Sequence, residues 1–293
     1  MNIPIGWFIA IVASLAGFYV TVQDLSKLWV PAEFGIIFGA GLGALIAANK
    51  WRNLKNIGIA IRRVFARRET SKAENLELLS LMFELLQRIK RDGPLSVDGD
   101  LENPTSSPIF GKYPLVLKRA RLVEFVTDYF RMTIDGTMTL SQLDTVMSQE
   151  IDVLDRELRE PAESLEILAD SMPAFGIVAA ITGVIAALNS LGGGGGSPAK
   201  VGGLVGMALI GTLLGVFFAY AILAPVARTL HQLAEAELRP YRAVKEILVA
   251  TFTNFSPMVA VEYGRKVLYS DQRPSMTELE TSIMSTSGQR LRG

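Results

Sequence analysis

Four stretches of this chain carry almost no charge and run long enough to cross a bilayer, and that feature decides most of what the chain can become. Residues 4–22 hold no charged side chain, residues 28–49 hold only Glu33 near their start, and residues 171–199 and 201–227 hold none, with Lys200 between them. Lipid offers no partner for backbone N–H and C=O groups, so each stretch must satisfy its own backbone as a helix, for which about 20 residues suffice. We number these spans one to four. The opening Met-Asn-Ile-Pro has no basic residue to drive secretion and a second span follows at once, so span one is expected to be a retained helix rather than a signal peptide.

Basic residues next to the spans set the orientation, because Lys and Arg are held on the cytoplasmic side. Lys50, Arg52 and Lys55 follow span two, Arg62, Arg63, Arg67 and Arg68 lie just beyond, and Arg228 follows span four. The opposite connectors offer only Lys27 and Lys200. Both termini and the segment between spans two and three are therefore expected in the cytoplasm. Outside, the pattern leaves a short turn around Asp24 to Leu28 and a tip of five glycines, 192–196, that holds no regular structure.

Small residues recur inside the spans. Gly35, Gly39 and Gly43 repeat every four residues in span two with Gly41 nearby, and span four carries Gly211 and Gly215. This spacing lets helix backbones approach closely, either within one chain or between subunits, and the sequence leaves both readings open.

The remainder reads as helix. After span two, Leu54, Ile57, Ile61 and Val64 share a face opposite arginines, a pattern suited to a membrane surface. Leu76, Leu79, Phe83 and Leu86 keep the helical period as far as Lys90, and Arg91-Asp92-Gly93-Pro94 stops it. A loop to about Pro114 is expected, then one helix marked by Val116, Ala120, Val123, Phe130 and Ile134. Another, marked by Leu143, Val146, Ile151, Leu154 and Leu158, should end where Pro161 interrupts the chain. Residues beyond Arg228 continue span four as helix. The expected fold is an all-α integral membrane protein with four transmembrane helices, a helical cytoplasmic domain between spans two and three, and a C-terminal cytoplasmic helical extension. Its parts are residues 1–49 (spans one and two), 50–170 (cytoplasmic), 171–227 (spans three and four) and 228–293 (cytoplasmic helices and tail).

Charge and chemistry exclude much. The 29 basic and 29 acidic residues cancel, so no global field attracts nucleic acid. There is no cysteine, and the lone His231 makes no metal site by itself. No Walker A pattern occurs, and Gly39-Ala-Gly41 lies inside a span rather than after a strand. An enzyme is not expected, nor any cofactor.

Several segments together carry a family likeness. Pro173-Ala-Phe-Gly-Ile-Val-Ala-Ala, Gly211-Thr-Leu-Leu-Gly with Ala224-Pro225, Glu262-Tyr-Gly-Arg-Lys-Val-Leu-Tyr-Ser-Asp-Gln-Arg-Pro-Ser275, Pro31-Ala-Glu33 and Asp100-Leu-Glu-Asn-Pro104 closely resemble the MotA family of flagellar stator proteins, in order and over nearly the whole chain. The resemblance implies an inner-membrane ring of five such subunits around MotB, which anchors the assembly to peptidoglycan and supplies a proton-carrying aspartate. It fits a feature of the residues: an ion relay needs an ionisable group at depth, and here Glu33 reads as lying near a span end and Asp170 outside span three. The carrier is then expected to be borrowed.

The resemblance also implies roles. Pro173 and Pro225, read at the cytoplasmic ends of spans three and four, couple protonation to movement. Each removes an N–H and disturbs a carbonyl one turn back. Thr212 and Tyr220 belong to the ion pathway, although a lone membrane Thr commonly bonds back to its own helix. Ala180 stands where sodium-driven relatives have threonine. Because Na⁺ needs several oxygen ligands, this favours protons, with Thr182 two residues on. Lys90, Arg91 and Asp98, with Glu150 added, correspond to charges that engage the rotor protein FliG. Each pair is worth under about 1 kcal/mol, which suits stepping. A unit charge crossing about 100 mV releases roughly 2.3 kcal/mol, so barriers between ring positions must be low. The alternatives are a sodium-driven stator subunit and an ExbB- or TolQ-like energiser, which has three spans.

Overall fold

A computed structural model describes residues 3–66, 71–136, 138–192 and 197–288; of the five-glycine tip, residues 193–196 lie outside this set. The chain divides into two compact units, residues 1–68 with 158–233, and residues 69–157 with 234–293. Among the described residues there is no strand.

The first unit holds the four segments long and apolar enough to cross a membrane. Helix α1 (Ile3–Val22) ends at Gln23, whose φ of 57° reverses the chain. A 3-10 turn at Leu25–Leu28 follows, capped by Asp24, which accepts from the Ser26 backbone N–H at 3.0 Å and its hydroxyl at 2.6 Å. Helix α2 (Pro31–Ala48) opens on Pro31, whose missing N–H costs nothing at a first turn. Helix α3 (Trp51–Ala66) is the amphipathic segment: Ile57 and Val64 are buried against Ala162, Leu165, Val226, Ala227 and Leu230. Its other face leaves Trp51 74% and Ile59 55% exposed, as an interfacial helix requires.

Helix α8 (Leu140–Gly192) contains both Pro161 and Pro173, so the expected break at Pro161 does not occur. An interior proline costs about 3 kcal/mol, and the buried neighbours Ala162 and Leu165 hold the helix against it. The fourth span begins as α9 (Pro198–Phe217), passes through one π turn at Phe218–Leu223, and resumes as α10 (Ala224–Phe252), carrying Pro240 internally.

The second unit is built on α4 (Lys72–Asp92). Leu78, Leu79, Leu81, Met82, Leu85 and Leu86 are all buried, so apolar residues fill more than one face. Ser71 caps its start and Gly93, at φ 89°, ends it, as Gly before Pro94 predicts. The expected loop to Pro114 is instead folded into a 3-10 turn at Pro94–Val97, helix α5 (Asp98–Glu102) and a further turn at Phe110–Lys112. The single helix expected next is two: α6 (Pro114–Leu117) and α7 (Ala120–Ile134), parted at Lys118 and Arg119. Glu77 on α4 accepts the Leu115 N–H at 2.7 Å, fixing the start of α6 independently of α7. Near the C-terminus, α11 (Pro257–Val267) and α12 (Met276–Gly288) pack on α4. Ser80 and Ser282 hydroxyls meet at 3.0 Å, and Asn75 donates to the Gln272 carbonyl at 3.1 Å.

Candidate functional site

Helices α8 and α9 run antiparallel with their backbones touching. A Cβ at Gly176 would lie 2.9 Å from the Gly211 carbonyl oxygen and 3.3 Å from Thr212 Cα, and one at Gly215 would lie 2.8 Å from the Met172 carbonyl oxygen. Gly183 is equally closed, 2.7 Å from Ala208 Cβ. Glycine here is a packing requirement rather than a turn residue. By contrast a Cβ at Gly35, Gly39 or Gly43 would meet nothing within 4 Å, so among the described residues the span-two stripe is open; Gly41 instead faces Met172 and Leu168. The two readings left open by the sequence thus divide: intra-chain packing accounts for Gly211 and Gly215 but not for the α2 stripe.

This seam sorts the ion-pathway candidates. Thr182 spends its hydroxyl on the Ala179 carbonyl at 2.7 Å, the common fate of a membrane threonine. Among the described residues Thr212 makes no such bond, so its hydroxyl is unspent there. Buried Ala179 meets Gly211, and Ala180 beside it is half-buried. Tyr220 lies in the π turn and is 60% exposed.

Pro173 and Pro225 occupy different levels. Pro173 sits beside Met172, which faces Gly215, whereas Pro225 is ten residues further along the chain than Gly215, roughly 15 Å at helical rise. The two prolines therefore stand at different heights along the α8–α9 pair. Pro225 stands one residue beyond the cap of the π turn, where the Ala224 N–H reaches five residues back to the Ala219 carbonyl. The wider turn accommodates a ring that would otherwise clash with the carbonyl one turn earlier.

Glu33 also differs from its sequence reading. It lies in the first turn of α2, yet its Cγ is 3.3 Å from where a Cβ on Gly211 would stand. Gly211 is 13 residues inside α9 from Pro198, about 20 Å along the helix. The α1–α2 hairpin starts lower than the α8–α9 hairpin, so a residue early in its own span meets the middle of another. Below it Phe34, Phe38 and Phe218 form an aromatic cluster, with Phe38 and Phe218 edge-to-face at 4.8 Å. At a deeper level the Asn53 amide donates to Asn49 at 2.6 Å and Ser164 at 2.9 Å, tying the α2–α3 corner to α8.

In the second unit Lys90, Arg91 and Asp98 come together at one exposed tip, where α4 ends and α5 begins. Arg91 pairs with the adjacent Asp92 at 2.6 Å, leaving Lys90 as the less committed cation. Leu95, between them, is 79% exposed. The tip is held from beneath by Asp100, only 9% exposed, which takes Arg88 at 2.9 Å and the Ser107 hydroxyl at 2.6 Å. Glu150 stands elsewhere, on α8, accepting the buried Tyr129 hydroxyl of α7 at 2.7 Å. Burial and that carboxylate raise the Tyr129 phenol well above its ordinary value, so the bond stays made at neutral pH. Sequence reasoning missed Gly176, the depth of Glu33 and the Asp100 clasp. Asp100-Leu-Glu-Asn-Pro104 and Gly176 were visible as motif residues, but their partners were not.

Residues 4–93 match the family model for the motility protein A N-terminal domain, and residues 119–243 match that of the MotA/TolQ/ExbB proton channel family. Together with four membrane-length helices, this defines a multi-pass inner-membrane protein of the proton channel class. Motility protein A of Salmonella typhimurium is 38% identical over 283 residues, covering 97% of this chain and 95% of its own. Motility protein A of Escherichia coli is 36% identical over the same share, and the chemotaxis protein LafT of Vibrio parahaemolyticus is 31% identical. The fold matches the Campylobacter jejuni MotAB structure at a TM-score of 0.72, with 18% identity over 94% of this chain and 98% of that one. The chain belongs to the MotA family.

Proposed function

We propose that this chain is the channel-forming stator subunit of a flagellar motor, acting with a MotB partner to turn proton flow into torque. The observation that carries this reading is 38% identity to motility protein A over 97% of this chain. A Bacillus subtilis structure with the same fold, TM-score 0.67, is described as a flagellar MotAB stator complex. The α8–α9 seam supports the reading physically: backbones locked by Gly176, Gly211 and Gly215 form a rigid wall, and Thr212 keeps a hydroxyl for an incoming group.

In this mechanism the partner's intramembrane acid takes up a proton beside Thr212 and Tyr220, and the π turn with Pro225, one level below Pro173, yields as the charge is neutralised. Ala180 contributes no oxygen, which suits a proton better than Na⁺. Several copies, five by family likeness, surround two partner helices, and the open glycine stripe of α2 suits packing between neighbours. Both termini and the rotor-facing unit lie in the cytoplasm, as the basic flanks demand. The tip of Lys90, Arg91 and Asp98 presses on FliG through weak charge pairs, with Glu150 serving as a strut to Tyr129.

Proton uptake into vesicles holding the co-expressed partners, compared with this chain alone, tests the proposal. Uptake only by the complex is expected, and a silent complex would overturn it. Swimming speed with Na⁺ removed, against speed with a protonophore, separates the proton from the sodium reading.

A further inference from the structure

An ionisable residue inside a membrane span is costly and rarely kept without a use. Glu33 is the one carboxylate or cation within the four apolar stretches, and its packing against Gly211 sets it 13 residues into α9. Among the described residues it makes no hydrogen bond or ion pair; it neither caps α2, whose N-cap is Val30, nor meets a cation. Within its packed surroundings, α8 carries no charge from residue 171 to Gly192, and α9 with the π turn none between Lys200 and Arg228. Tyr220 is the remaining ionisable group on those elements. The nearest charges in the preceding turn are Asp24, committed to Ser26, and Lys27. A structural role explains little here: Gly211 leaves room for the Glu33 methylenes, but nothing holds the carboxylate.

We propose that Glu33 is a proton-collecting group of this chain's own, loading the ion route at the level of Thr212. The carboxylate takes a proton arriving from the outer side, forming an O–H bond. It then gives that proton to the partner's carboxylate, returning to its charged form, with no other bond changed. Its effect is local concentration rather than obligatory carriage: a fixed negative charge in a low-dielectric cleft raises the local cation concentration by about tenfold or more.

The inference rests on the stator reading, and the test separates the two. Proton flux is measured against external pH in vesicles holding the complex with its partner, for the parent, Glu33→Gln and Glu33→Asp. Glu33→Gln, nearly isosteric, is expected to assemble and to lose about tenfold in flux. The loss should be largest where external protons are scarce, and Glu33→Asp should recover most of it. Flux and pH profile of Glu33→Gln matching the parent would overturn the inference while leaving the stator reading intact; absence of flux in the parent complex would overturn the stator reading instead. A second measurement uses the unaltered complex. A hydrophobic carbodiimide, which attacks protonated carboxyls in lipid, should modify Glu33 less as pH rises, read by peptide mass. Glu33 left unmodified throughout, with other acids labelled, would overturn the inference even if Glu33→Gln fails to fold.

Discussion

Gly176→Ala tests the wall of the proposed route. The new methyl would stand 2.9 Å from the Gly211 carbonyl oxygen, 3.2 Å from Gly215 Cα and 3.3 Å from Thr212 Cα, all backbone atoms. Carbon contacts settle near about 3.5–4.0 Å. The helices must therefore part by roughly 0.5–1 Å over this turn, since no neighbouring side chain can swing aside. Overpacking of this kind costs about 1–3 kcal/mol, which for a chain of this size lowers the melting midpoint by roughly 3 °C at about 2 kcal/mol. Thr212 moves with the seam, so flux should fall together with stability. The assay is the melting of the solubilised complex alongside vesicle flux. Gly17→Ala, with nothing within 4 Å of its new methyl, is the control. A Gly176→Ala complex that melts and conducts like the parent would refute the reasoning that backbone contact closes this seam.

Four further outcomes are expected. A Cβ at Gly39 meets nothing within 4 Å, so Gly39→Ala should leave the subunit folded while weakening the oligomer on native mass measurement; an unchanged oligomer would remove the α2 stripe from the subunit contact. Lys90→Glu with Arg91→Glu should slow swimming, with partial rescue by charge reversal on the rotor; unchanged swimming would remove the contact. Asp100→Ala strips Arg88 and Ser107 of their shared acceptor and should cost about 1–3 kcal/mol, read by faster proteolysis around Leu95. Lys72 and Ser275 hold Glu278 down from 4.5 to about 2, so this contribution to α12 docking is complete above pH 4.5 and fades as pH falls toward 2. Hydrogen exchange in α12 should rise over that window, and Lys72→Met should reduce the pH dependence, the Ser275 bonds keeping the rest.

Much of the architecture was legible in the amino-acid order because lipid and backbone leave few options. Charge-free runs of the right length become helices wherever they lie, and Gly93 before Pro94 marks the end of α4. The tip of Lys90, Arg91 and Asp98 was legible too, since a short turn keeps residues close in sequence close in space. What tertiary structure alone decided concerns register between helices. Span boundaries place Glu33 at an edge, and only the offset of two hairpins sets it against Gly211, well inside α9. The register of α8 against α9, with Met172 facing Gly215, separates Pro173 from Pro225. Periodicity names glycine faces but not their partners, so Gly211 and Gly215 are spent within the chain while Gly35, Gly39 and Gly43 remain open. A one-dimensional pattern fixes which face of a helix is small or apolar; the relative depth of two helices depends on the fit of all their side chains at once.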